Sequence, residues 1–198
     1  MHFSQGEIAT VNELEVTYHD LRSCYGMAIA YGIGPRGPSH NACDTYMVLM
    51  GLPFQEIGIQ NIDKFLDNKE MAEVCALNQD YRAFYSSMIM CSFSNPPPSQ
   101  NAALIENTIG LTFGIKEVKL YGEKILNMKR MFNIKLGLTS ADDRLPDILL
   151  RPFDDGGAAG KTPNFEQLKK LFYEYRDWDA NTGKLSESKL KSLGLDNL

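Results

Sequence analysis

Apolar residues along this chain recur mostly at steps of three and four, the repeat of a helix with one buried face. Val118, Tyr121, Ile125, Met128 and Phe132 share one such face and predict a helix over Ile115–Lys135 whose stripe enters the core. Phe165, Leu168, Leu171, Phe172 and Tyr175 predict another, and Glu187 to Leu193 a last short one, stopped by Gly194. Earlier, Asp20 serves as a start signal for the run "LRSCYGMAIAY", and "NACDTYMVLMG" follows after a broken segment. Ile62 to Leu66, the long run from Glu70 to about Cys91, and Ala102 to Phe113 complete the helices, with "SFSNPPPSQN" as the turn before the last of these. "RPFDDGGAAGKTP", Arg151 to Pro163, reads as a loop between fixed ends, and its Gly156 to Gly160 stretch suits a lid or a plain surface connection. No alternation long enough for a sheet and no internal repeat is present, so the expected class is all-α.

Composition narrows the function classes. The 198 residues are 43% hydrophobic and 23% charged, enough for a core, and the net charge is -5. Lysines and arginines are scattered, which excludes a nucleic-acid stripe. The first twelve residues, "MHFSQGEIATVN", lack the basic start and apolar run of a secretion signal, and no apolar stretch approaches the ~20 residues of a membrane span. The expectation is a soluble, cytoplasmic protein with no membrane partner. Cys24, Cys43, Cys75 and Cys91 form no CxxC pair and have no nearby histidine at zinc spacing, so each reads as a small buried residue.

The chemistry-bearing candidates are few. In "YGIGPRGPSHNACD", Gly32, Gly34 and Gly37 spell GxGxxG, but Pro35 and Pro38 offer no amide to a pyrophosphate and no βαβ unit surrounds them. "DWDANTGKLSES" places Asp177, Asp179 and Asn181 at alternate positions, yet Gly183 is displaced by one and Ser188 replaces the bidentate glutamate of a calcium loop, so it reads as a turn between helices. His40 follows Ser39, a residue able to cap a following helix, and either points into a cleft from that first turn or is a satisfied, partly exposed histidine. Cys91 lies at a chain reversal, and a single cysteine holds no metal by itself.

Three ordered segments carry a resemblance. "HDLRSCYGMAIAYGIGPRGPSHNA" is similar to a stretch of the form HDPRA...G.AYATSPRGACHLR, with Pro35, Arg36, Gly37 and His40 in order. "GEKILNMKRMFNIKLGLTSADDRLPDILL" is similar to GERIWNLERLFN.R.G.T..DD.LP, and "LFYEYRDWDANTGKLSESKLKSLGL" to YY..RGWD..G.PT.EKL..LGL. Together they resemble the C-terminal part of the aldehyde:ferredoxin oxidoreductase family, tungsten or molybdenum pterin enzymes that oxidise aldehydes to acids. The resemblance runs from Leu14 to the end of the chain.

That resemblance implies an all-α, irregular multi-helix C-terminal domain, with residues 1–95 forming pocket and cluster-side helices and residues 99–198 an outer helical part whose Gly-rich loop is 154–162. It implies His40 as the catalytic residue, beside the metal-bound oxygen or the substrate carbonyl. It aligns Ser86, Ser87, Met88, Ile89, Met90 and Cys91 with the family's D-x-x-G-L-C element. Cys91 is thereby the fourth ligand of a [4Fe-4S] cluster, and Ser86, Ser87 and Met90 are cofactor-binding positions. Ser86 for aspartate and Ile89 for glycine depart from that pattern, and Asn41 and Ala42 replace the Leu-Arg after the histidine. The implied cofactors are a tungsten (or molybdenum) bis-pterin and the cluster, both needing an N-terminal pterin-binding domain or subunit expected to be missing here. Ferredoxin, a small aldehyde or, in one branch, an aryl-CoA thioester are the other implied partners, and an apolar face left bare would drive homo-oligomers. A helical interaction domain without metal is the remaining alternative.

Overall fold

Among the described residues, short turns come first and α-helices take over from residue 26. The computed structural model describes residues 8–52 and 54–198, so part of the expectation for the first twelve residues lies outside the described residues. β1 (Thr10–Val11) and β2 (Leu14–Glu15) pair antiparallel, Thr10 opposite Glu15 and Val11 opposite Leu14. Among the described residues seven α-helices follow: α1 (Gly26–Gly32), α2 (Thr45–Leu49), α3 (Lys69–Ser87), α4 (Pro98–Ile109), α5 (Ile115–Lys135), α6 (Phe165–Arg176) and α7 (Glu187–Leu193). The fold is all-α. No helix among the described residues is long and apolar enough to cross a membrane.

Side-chain caps set the starts of three helices. Asn68 accepts from the Met71 amide at 3.2 Å, Asn164 from Gln167 at 3.1 Å, and Ser186 from Lys189 at 3.0 Å. At α5 the Glu117 side chain reaches back to the Gly114 amide at 2.9 Å. α4 begins on the third proline of the triple, where a missing amide hydrogen costs nothing, and stops at left-handed Gly110. It therefore starts before the expected Ala102 and ends before Phe113.

Asp20 caps a 3-10 turn over Leu21–Ser23 rather than α1 itself, because its carboxylate is also gripped by Arg22 at 2.6 and 2.8 Å. Ile62–Leu66 forms only a turn, tied by Asp63 to the Phe65 amide, so the helix expected there is absent.

α3 runs through the middle of two apolar clusters. Its first half, with Met71, Cys75 and Ala76, joins Met27, Ile29 and Tyr31 of α1 and Leu168 and Phe172 of α6. Its second half, with Tyr81, Phe84 and Tyr85, joins Phe54, Ile57, Ala102 and Val118. Buried along most of its length, α3 also carries Asn78, Gln79, Asp80 and Arg82 inward, and its two buried charges are paired. Asp80 receives Arg176 of α6 at 2.6 Å and Arg82 grips Asp44 at 2.6 and 2.8 Å.

The expected core stripe of α5 is corrected by the structure. Val118 is buried, but Tyr121, Met128 and Phe132 are exposed, Phe132 by 62%. The face turned inward carries Gly122, Leu126, Asn127 and Arg130 instead. Gly122 decides the rotation: a Cβ there would overlap the Asp80 carbonyl, so only glycine lets α5 approach α3 this closely. Asn127 and Arg130 are satisfied once inside, Asn127 by the Trp178 indole at 2.8 Å and Arg130 by Asp143 at 2.6 and 3.0 Å.

Between α6 and α7 the chain makes the expected turn. Asp179 accepts from the Asn181 and Thr182 amides at 3.2 and 2.8 Å, and Asp177 accepts from Ser186 and Ser188, so these carboxylates are occupied by the loop's own donors.

Candidate functional site

The broken segment after α1 is pinned where it bends. Asn133 of α5 donates to the Pro35 carbonyl at 2.6 Å, Gly37 takes the left-handed conformation at φ 89°, and Arg36 donates to the Ser39 hydroxyl at 3.0 Å. Gly34 is needed for this bend: a Cβ there would overlap the Gly37 and Ala30 carbonyls, so its close approach serves the turn itself. Ser39 does not cap a helix, because its hydroxyl serves Arg36 and α2 begins only at Thr45. His40 therefore stands in a turn, not in a first helical turn.

The His40 ring meets His19 edge-on at 4.8 Å, and His19 stacks on Tyr46 of α2 at 4.3 Å. Tyr18 lies on the solvent side of the pair, 4.5 Å from His19 and 6.4 Å from His40. His40 Nδ1 is buried and has no hydrogen-bond partner among the described residues. Burial, reinforced by His19, holds this imidazole below its ordinary value, while Asp44 pulls the other way. The neutral form of the ring is thereby favoured, and its buried Nδ1 is unpartnered among the described residues.

Beneath the cluster, the bidentate Asp44–Arg82 pair fixes the start of α2 to the middle of α3. Arg82 lies 5.1 Å from the Phe54 ring centre and 5.6 Å from those of Tyr81 and Tyr85, so its charge is enclosed by aromatic faces.

The cleft of about 680 Å³ beside this loop is lined by Arg36, Ser39 and Asn41 on one side, Met128 and Lys129 of α5 on another, and Ser86 at the end of α3. Ser86 thus shares a cleft with the two residues that flank His40, while His40 itself turns to His19 and does not line it. Ser87, Met90 and Cys91 do not line it either. Ser87 instead donates to the Phe84 carbonyl at 2.6 Å, closing the last turn of α3, and Met90 is half-buried.

Cys91 is exposed, whereas Cys24, Cys43 and Cys75 are buried. Its backbone is held from below: Tyr85 donates to the Cys91 carbonyl at 2.7 Å and Ser94 does so at 2.8 Å. A fixed loop with an outward thiol suits a ligand to a group bound at the surface. Among the described residues no set of three or more His, Cys, Asp or Glu side chains converges on a metal position. Burial raises the Cys24 thiol to about 11 and pushes Cys75 well up too, so these two are packing groups rather than ligands.

Sequence reasoning missed His19, Tyr46 and Lys129, which surround His40 or line the cleft beside it. His19 sat in plain view in "YHDLR", but its partnership with His40 exists only once the loop folds back.

The profile described as "Aldehyde ferredoxin oxidoreductase, domains 2 & 3" matches residues 3–195. The chain is 28% identical over 193 residues to the tungsten-containing aldehyde ferredoxin oxidoreductase of Pyrococcus furiosus, covering 94% of this chain and 30% of that protein. It is 27% identical to the enzyme of the same description from Pyrococcus abyssi and 25% identical to that from Thermococcus kodakarensis, with the same coverage. The chain thus spans less than a third of the length of these relatives.

Proposed function

The chain belongs to the aldehyde ferredoxin oxidoreductase family, over the family's domains 2 and 3, and from that premise we propose that it is the helical part of a tungsten or molybdenum pterin and [4Fe-4S] oxidoreductase. The proposed reaction is oxidation of an aldehyde to the carboxylic acid, with ferredoxin taking the electrons. The observation that carries this reading is His40: a neutral imidazole whose buried Nδ1 lacks a partner, in the segment "PRGPSH" that matches the family.

The residues present fit a shared site and not a complete one. Cys91 would give one thiolate to the cluster, since its thiol is exposed on a loop that Tyr85 holds in place. The other ligands must come from elsewhere, because no further converging set exists among the described residues. Ser86 would face the pterin across the cleft it lines. When bound, the metal–pterin group supplies the two-electron chemistry and the cluster relays the electrons. His40 would orient the aldehyde oxygen or hold a proton at Nδ1, and the stacked His19 and Tyr46 keep its ring in place.

The bare stripe of α5, Tyr121, Met128 and Phe132, is the surface on which an N-terminal pterin-binding domain or subunit would dock. Relatives that extend well beyond the matched length make such a partner the natural occupant of an exposed apolar face. In this reading residues 1–95 face the cofactors, residues 99–198 form the outer part, and the assembly is cytoplasmic. The test is Cys91→Ser in the complete assembly, read by iron content and by circular dichroism. Loss of iron with the helical signal intact is the expected outcome. Full iron content would remove Cys91 from the site.

A further inference from the structure

A pocket of about 240 Å³ opens between α3, α5, α6 and α7, and it shares no lining residue with the cleft beside His40. Asp80, only 7% exposed, is the most deeply buried charged residue that lines it. Arg176 occupies the Asp80 Oδ1 at 2.6 Å, while Oδ2 accepts no hydrogen bond among the described residues and is not sealed from solvent. A carboxylate oxygen so placed is an acceptor in want of a donor. Ile57, Leu77 and Val118 supply an apolar wall. Exposed Lys119 has no ion-pair partner among the described residues. The Tyr175 hydroxyl is likewise without a hydrogen bond there, and burial raises its phenol above the ordinary value, so it stays protonated and able to donate. Glu123 and Lys189 also line the pocket but satisfy each other at 2.8 Å.

We propose that this pocket binds a free aliphatic amino acid, its ammonium on Asp80 Oδ2, its side chain against Ile57, Leu77 and Val118, and its carboxylate toward Lys119 and the Tyr175 hydroxyl. The three kinds of lining group select a zwitterion. An amine alone would answer Asp80 but add a cation beside Arg176 and Lys119, and a carboxylic acid alone would leave the buried Asp80 oxygen facing a second anion without a donor. A volume of about 240 Å³ falls below the range of drug-sized sites, which limits the ligand to a small molecule. The site stands on residues that the metal reading does not use, so it holds whether or not that reading does.

The test is calorimetric titration of the 198-residue chain with leucine, with isopentylamine, which is leucine without its carboxylate, and with isocaproate, which is leucine without its ammonium. The pH is held above the Asp80 value of about 6, so that its carboxylate is ionised. Leucine should bind about tenfold or more tightly than isocaproate, the scale of a charge-assisted hydrogen bond to a buried group, and about threefold more tightly than isopentylamine, the scale of an exposed ion pair. Asp80→Asn and Lys119→Gln should weaken leucine by the same two factors, and Lys116→Gln, in the first turn of α5 and outside the pocket, should leave it unchanged. Circular dichroism verifies the fold of each variant, and the analogue series uses the unaltered chain, so it decides the matter even where Asp80→Asn folds poorly. Leucine that does not bind, or either analogue binding as tightly as leucine, would overturn the proposal. Leucine affinity left unaltered by both Asp80→Asn and Lys119→Gln would do so too.

Discussion

Arg130 of α5 and Asp143 in the loop before α6 form a two-pronged ion pair at 2.6 and 3.0 Å, almost wholly out of solvent. The remaining valences are used as well: Arg130 donates to the Gly183 carbonyl at 3.1 Å and to the Tyr173 hydroxyl at 3.0 Å, and that hydroxyl donates to Asp143. The guanidinium also lies 4.6 Å from the Trp178 ring centre. One pair thus binds α5, the Asp143 loop, α6 and the α6–α7 turn into a single body. Removing one partner strands the other charge in the interior, so Asp143→Ala should cost about 3–5 kcal/mol. Arg130→Lys should also destabilise, because an ammonium cannot reproduce the fork. Chemical denaturation of both variants checks this.

Gly122→Ala is expected to destabilise, although alanine favours a helix over glycine by about 1 kcal/mol. The added methyl would overlap the Asp80 carbonyl, and backbone on both sides leaves no room to yield. Gly157→Ala, at a position open to solvent, should be neutral. Thermal melts of the two variants separate packing from propensity.

These two sites show what was legible in the sequence and what was not. The bounds of α5 could be read because Gly114, Glu117 and the apolar period mark them locally. Its orientation could not, because the inward face is chosen by a glycine contact and by Asn127 and Arg130, polar residues whose partners lie far along the chain. The apolar period alone pointed to the wrong face. His40 and Cys91 are candidates through matched segments, while the pairing of His40 with His19 and the convergence of Arg36 with Lys129 arise only from folding.

Asp80 gives a pH signature. Although Arg176 is bonded to it at 2.6 Å, burial dominates and raises its carboxyl to about 6. A raised carboxyl favours the folded state most below its unfolded value, near 3.8, and that advantage is lost as pH rises through about 6. Asp80→Asn does not titrate, so the stability gap between wild type and variant should be wider at pH 4 than at pH 7. Denaturation curves at the two values test it, and a gap that widens upward would contradict the assignment.

His40 is held below its ordinary value by burial and by His19. Its neutral form is therefore retained at neutral pH, and protonation costs activity only on the acid side of the usual imidazole range. In the complete assembly, His40→Ala should cut turnover with metal content unchanged and should abolish that acidic limb of the pH–rate profile. Turnover at the wild-type rate would make the histidine structural.

The central claim is that this helical chain works as part of a pterin–tungsten or pterin–molybdenum oxidoreductase. Elemental analysis of protein purified anaerobically from its native cells, with the size of the associated or continuous polypeptide determined alongside, addresses it directly. The account predicts tungsten or molybdenum together with about four irons per assembly, and additional polypeptide beyond these residues. Native material with neither metal nor further polypeptide would contradict it.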